Sequence, residues 1–280
     1  MSNTCILTDS TAQFPYPIFD GRALVSVIAL DIQLNDKWYP GGVDLKANDL
    51  SITTRHGLQP QVYAPSAEKF EQTFQDLGKR YSEIVCMLHP NQLSDTVKHA
   101  RQAAKATEGR VAIEVIDCQT TAIGLGLLVQ AAAEAADNGA SAEEIEKLIR
   151  SLMPKTYTTF CIQGLSYLHH NGYLSDTQAF IGEHLRVLPV FILEEGRLVP
   201  TQKARNNRHL VDILHEFLWE FPNLEHIAIL QAVPSFEQET RTLRERIAED
   251  FEDTPISEHT ISATLAAMIG PRSLGIFVKQ

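Results

Sequence analysis

Residues 84–104 read IVCMLHPNQLSDTVKHARQAA: an apolar run, a polar turn, then hydroxyl and acidic residues opening a segment with apolar residues at helical spacing. An apolar run this short, followed at once by helix signals, predicts a buried strand leading into a helix. The same alternation runs through the first half of the chain. Cys5–Thr8, Val25–Leu34 and Val111–Ile116 read as strands, and Pro65–Arg80, with Ser66 near its cap, as an amphipathic helix. Helices are expected from Ser94 to about Thr107, over Gly124–Asn138, and from Ser141 to Met153-Pro154. Short apolar strands separated by helices imply a parallel α/β sheet.

The pattern changes after Pro154-Lys155-Thr156. Thr156–Gln163 is β-branched and aromatic, Ser175–His184 reads as helical, and Val187–Leu193 with Leu198–Lys203 reads as a hairpin turning at Glu194-Glu195-Gly196-Arg197. Helices over Arg208–Phe221 and Ser235–Asp250 then alternate with strands Ile227–Ala232 and Ser273–Val278. The expected architecture is α/β: an N-terminal parallel-sheet domain over residues 1–155, a C-terminal mixed α+β domain over 156–280, and a ligand cleft between them.

At 280 residues and 44% hydrophobic content the chain can bury two ordinary cores, and it holds no apolar run long enough to span a bilayer. A net charge of −11 argues against nucleic acid, whose phosphates need a positive face. The first residues, MSNTCILTDS, lack the basic start and long apolar core of a secretion signal, so a cytoplasmic location is expected. Cys5, Cys86, Cys118 and Cys161 stand singly and read as small buried hydrophobes.

Signals for catalysis are weak. Thr8-Asp9-Ser10-Thr11 follows the first strand, at the sheet edge where open α/β domains bind ligands; the loop either makes an Asx turn or takes part in binding. No G-x-S-x-G elbow or P-loop occurs, and Gly124-Leu125-Gly126 lacks the third glycine of a dinucleotide fingerprint, so close helix packing explains it better. His169-His170 has no helical metal-pair spacing. No catalytic residue, metal or cofactor is assigned. A hydrolase or transferase using His89 and Asp9 is the alternative from another class, and an interaction module with a decayed site is a third. Leu93-Ser94-Asp95-Thr96, at a helix start, is the place where a hydroxyl can hold an anionic head group.

Six pieces in order, Ile6–Thr11, Leu93–Thr96, Val115–Leu128, Gly164–Gly182, Leu188–Val190 and Ile269–Ile276, resemble the DegV family of bacterial fatty-acid-binding proteins. The resemblance implies two α/β domains holding one long-chain fatty acid, with the tail sheathed and the carboxylate bound by hydroxyls and a few basic groups. It also implies a fatty-acid kinase subunit as a partner for some members. Several positions depart from the family pattern. Val62-Tyr63 replaces a Thr-Ser pair, His89-Pro90 a Ser-Ser pair, Asn171-Gly172-Tyr173 a Gly-Gly-Arg, and Met268–Arg272 a His-x-Gly-Pro-Gly. Asp95 stands for a glycine, where it either repels a carboxylate or faces solvent at the helix start. The lipid-binding residues implied are Ser94, Thr96, Ser10, Val62, Tyr63, Tyr173, Met268 and Arg272, with Ser94 the surviving anchor and Arg272 a replacement cation. A different or more neutral lipid is the other ligand class open to such a site.

Overall fold

The computed structural model describes residues 3–52, 60–107, 109, 111–175, 177–179, 182 and 188–280. The chain divides into two compact units, one built from residues 1–31, 63–155 and 195–197, the other from 32–62, 156–194 and 198–280.

The first unit is a three-layer α/β/α sandwich. Its sheet has the order β2-β1-β6-β7 (Val25–Ile28, Thr4–Asp9, Glu83–Leu88, Ala112–Asp117), and all three pairings are parallel. Alternate side chains of β1 and β6 point to opposite faces. Cys5, Leu7, Ile84, Cys86 and Leu88 join Phe70, Phe74, Val97 and Ala100 under α1 (Ala67–Leu77) and α2 (Thr96–Ala106). Ile6, Val85 and Met87 join Leu125, Val129, Ile145 and Ile149 under α3 (Ala122–Asp137) and α4 (Ala142–Leu152). Each face buries an unbroken apolar row, which is why these strands read as continuous runs rather than alternations.

The helix starts follow ordinary capping chemistry. Ser66 accepts from the Lys69 N–H at 3.3 Å, and Ser141 and Glu144 form a reciprocal capping box. Gly126 lets α3 approach the loop behind β1, since a Cβ there would sit 2.0 Å from the Gln13 carbonyl oxygen. Close packing, as expected, accounts for that glycine. The single strand expected over Val25–Leu34 is two, because the Leu30 N–H donates to Ser10 Oγ at 3.0 Å and leaves the ladder.

The second unit is built on a six-stranded mixed sheet, β10-β9-β8-β13-β11-β12 (Arg197–Ala204, Leu188–Glu194, Thr156–Ile162, Ser273–Lys279, His226–Gln231, Ile256–Thr260). β13 runs antiparallel to β8 and β11, and β11 parallel to β12. Cys161, Val190, Ile227, Ile229, Leu274 and Ile276 pack against Leu210, Leu214, Leu243 and Ile247 from two helices, α6 (Asn207–Leu218) and α7 (Glu237–Asp250). Gly275 leaves room for the Phe160 ring, which meets Phe277 edge-on at 5.3 Å. Two short helices, α5 (Leu165–His170) and α8 (Ala263–Ile269), pack together, and β4-β3-β5 (Lys37–Tyr39, Asp31–Leu34, Pro60–Tyr63) form a small separate sheet. Half of the helix expected over Ser175–His184 lies outside the described residues; within it, Thr177, Gln178, Ala179 and Gly182 are helical. No helix among the described residues is long and apolar enough to cross a membrane.

Two substitutions test this packing. Gly126→Ala forces α3 and the Gln13 backbone apart and is expected to cost about 1–3 kcal/mol in chemical denaturation. Ser141→Ala removes one half of the capping box and is expected to cost about 1 kcal/mol, with the fold unchanged by circular dichroism.

Candidate functional site

The connectivity of the first sheet marks one point on its edge. From β1 the chain moves outward to β2, then crosses back to β6 and moves outward the other way to β7. The crevice outside the carboxyl ends of β1 and β6 is therefore the topological switch point, where open α/β sheets hold their ligands. Parallel register aligns Thr8 with Met87, so the next residues of the two strands emerge side by side. Asp9 and His89 leave the sheet at this place.

Their side chains are joined and fully buried. Asp9 Oδ2 accepts the His89 backbone N–H at 2.7 Å and faces His89 Nδ1 at 2.9 Å. Asp9 Oδ1 accepts the Thr11 backbone N–H at 2.8 Å and the Thr11 hydroxyl at 2.6 Å. Burial acts to raise the Asp9 pKa, but the His89 ring and the hydrogen bonds from His89 and Thr11 outweigh it and hold the carboxyl below its ordinary value. The Asx turn expected for the loop is present, and its acid also carries the contact to β6.

The chain of contacts continues outward. His89 Nε2 lies 2.6 Å from Ser94 Oγ, and Ser94 Oγ lies 2.7 Å from Thr96 Oγ1. The Thr96 backbone N–H also donates to Ser94 Oγ, at 3.2 Å. Ser94 is half-buried and Thr96 buried, at the start of α2, whose first N–H groups have no partner within the helix. Asp95 sits exposed at the helix start, makes no side-chain cap, and faces Lys98 at 3.4 Å. Its charge is directed to solvent and paired there, away from the Ser94 hydroxyl's bonds.

Of the residues singled out from sequence, Ser94 and Thr96 meet in this cluster. Ser10, next to Asp9, is engaged through the Leu30 N–H. Tyr63 and Val62 lie half-buried at the end of β5. In the second unit Tyr173 follows α5, and burial pushes its hydroxyl well above the ordinary tyrosine pKa, so it stays neutral. Asn171 Nδ2 donates to the Met268 carbonyl at 3.0 Å and ties the end of α5 to α8. The Arg272 guanidinium stacks over the Phe236 ring at 4.4 Å, and its Nε has no hydrogen-bond partner among the described residues. The four cysteines are buried and unpaired, and burial pushes the thiols of Cys5 and Cys161 up to about 12. Sequence offers His89 and Asp9 together as a candidate hydrolase or transferase pair near the sheet edge, and their side chains do meet. What was missed is that Ser94 completes their chain.

A family model described as "Uncharacterised protein, DegV family" matches residues 3–280. A DegV domain-containing protein of Caldanaerobacter subterraneus is 28% identical over 284 residues, covering 100% of each chain. Among solved structures, a DegV family protein of Thermus thermophilus described for its fatty acid binding has a TM-score of 0.84 at 25% identity, with 100% of each chain covered. The fatty acid kinase B3 protein of Streptococcus pneumoniae, loaded with linoleic acid, gives 0.86 at 22% identity, covering 100% of this chain and 99% of that one. With the family model matched along nearly its whole length, this chain belongs to the DegV family.

Proposed function

We propose that this chain is a fatty-acid-binding protein with no catalytic step of its own, holding one long-chain fatty acid with its carboxylate at Ser94. The observation that carries this reading is the Ser94–Thr96 hydroxyl pair at the switch point of the parallel sheet, half-open at Ser94 and backed by a helix start. The fatty-acid binding described for the Thermus thermophilus relative supports the ligand class. Energetically the tail dominates, because each buried CH₂ contributes about 0.8 kcal/mol and the head group needs only a few anchors. Tyr63 and Tyr173 are proposed as further hydroxyl donors, and Val62 and Met268 as apolar lining. Arg272 is a weaker candidate, since its guanidinium is committed to Phe236. The fatty acid kinase name of the Streptococcus pneumoniae relative supports a kinase subunit as the partner that receives the acyl chain. Free buried thiols fit a reducing compartment, and the cytoplasm is the proposed location.

A second reading rests on one specific observation. Asp9, His89 and Ser94 stand in the order carboxylate, imidazole, hydroxyl, which is the order of an acyl-transfer nucleophile with its base and orienting acid.

One experiment separates the two. The delipidated protein is titrated with palmitate, and in parallel treated with a fluorophosphonate ester and weighed as the intact chain. Binding of palmitate at one equivalent without a phosphonate adduct is expected. Ser94→Ala should weaken the binding roughly tenfold or more, the loss of one hydrogen bond to a charged group. An adduct on Ser94 together with ester turnover would favour the second reading, and absence of any palmitate binding would remove the first.

A further inference from the structure

We propose that the Asp9–His89 pair sets the direction of the Ser94 hydroxyl, so that the site takes a carboxylate together with one proton, which is held on His89. The proposal rests on the reading of Ser94 as the head-group anchor.

The fixed atoms of the cluster leave few places for its protons. Asp9 accepts at both oxygens, and its depressed pKa keeps it an ionised, acceptor-only group. His89 Nδ1, 2.9 Å from Oδ2, must therefore carry a proton whatever the state of the ring. Only Nε2 is left to vary. When the ring is neutral, Nε2 is a bare lone pair 2.6 Å from Ser94 Oγ and draws the Ser94 proton inward. Ser94 then accepts from the Thr96 N–H and from the Thr96 hydroxyl. Every proton in the cluster is spent inside it. An arriving carboxylate, which has only lone pairs to offer, finds oxygen lone pairs at Ser94.

Protonating Nε2 reverses that bond. The ring now donates to Ser94 Oγ, whose second lone pair keeps the Thr96 N–H, so the Thr96 hydroxyl can no longer donate there; one hydroxyl proton of the Ser94–Thr96 pair is left over and is released toward the half-open side, where a carboxylate can accept it. The imidazolium also brings positive charge behind the hydroxyl, partly offset by Asp9, which makes the new hydrogen bond a charge-assisted one.

The other titratable groups around the ring are accounted for. On β1 the facing group is Asp9 itself. Cys86 on β6 and Cys118 beyond β7 are buried thiols held well above their ordinary pKa, first by desolvation and then by Asp9, so they stay neutral. Asp117 at the end of β7 accepts the Asn91 N–H, Asp95 and Lys98 pair on the exposed start of α2, and His99 of α2 meets the Pro65 carbonyl through Nδ1. His99 is the one other imidazole in this set, and it lies outside the chain of bonds to Ser94.

The sign follows from linkage. A group that gains a proton on binding makes the complex weaker as pH rises, by at most tenfold per pH unit for one proton. Between pH 6.5 and 9 the fatty acid carboxyl group is already ionised, as ordinary carboxyl pKa values lie near 4.

The test is calorimetric titration of delipidated protein with palmitate across that range, in phosphate and in Tris, whose ionisation enthalpies differ. Net proton uptake on binding palmitate is expected within that range, with affinity falling as pH rises wherever uptake is seen. His89→Gln cannot titrate; Asp9 takes its N–H₂ and leaves the amide oxygen facing Ser94, as a neutral ring would, so it is expected to bind more weakly, with uptake near zero and an affinity flat with pH. His99→Gln should behave like the wild type. Equal uptake in wild type and His89→Gln would overturn the proposal. Failure of the wild type to bind palmitate at any pH would instead overturn the reading of Ser94 beneath it. Imidazole nitrogen NMR of the wild-type protein at pH 8 needs no variant. His89 protonated only in the palmitate complex supports the coupling, and His89 neutral in both states refutes it.

Discussion

The Asp9 carboxylate is the contact on which the functional end of the first unit depends. It is fully buried, and it is stabilised only because the residues around it supply donors to both oxygens. A buried carboxylate stripped of such partners costs several kcal/mol, so the strand end, the Asx turn and the His89 ring hold one another in place. The acid thereby fixes the tautomer of His89, because Nδ1 must donate to it. That in turn decides what the outer nitrogen can offer Ser94. A constraint on folding and a constraint on ligand chemistry are the same set of bonds.

Much of the first unit was legible because its periodicities are pure. β1 and β6 carry apolar residues on both faces, and Ser66 and Ser141 announce α1 and α4 with capping chemistry that acts over three residues. The start of α2, near Ser94, was likewise visible. The Asp9–His89 contact was not, because the two residues lie 80 positions apart and meet only through the parallel register of their strands. Sequence names the two together as a candidate catalytic pair near the sheet edge, but nothing local to either says that they touch. Val25–Leu34 misled for the opposite reason. Its apolar pattern is continuous, while the break comes from a hydroxyl at Ser10, twenty positions away.

Elements of the second unit escaped where the local signal is mixed. β12, ISEHT, is an edge strand hydrogen-bonded only to β11, so it needs no apolar row. α8, ATLAAMI, is buried along its length and shows no polar face by which a helical period could be read. α5 is a single short stretch following Gly164, which holds a positive φ of 84° and whose missing Cβ allows the Ile52 carbonyl to come close. In each case burial or edge position, decided by distant partners, replaced the periodic pattern that sequence reading depends on.

The departures from the family pattern and the Asp9–His89 pair can be read as one change. Where the pattern has an arginine this chain has Tyr173, a hydroxyl kept neutral by burial, and Arg272 spends its charge over the Phe236 ring. A permanent cation attracts an anion at any pH and needs no further arrangement. An imidazole behind a serine attracts it only in one protonation state, and in the other it turns the serine's proton away. The exchange costs unconditional affinity, since neutral hydroxyls bind a carboxylate less strongly than a guanidinium does. On the proposed role of Ser94, it adds a dependence of head-group recognition on proton concentration that a fixed charge cannot have. For the proposed fatty acid ligand, the acyl tail would carry most of the binding energy and be indifferent to this exchange, which acts on the head group alone.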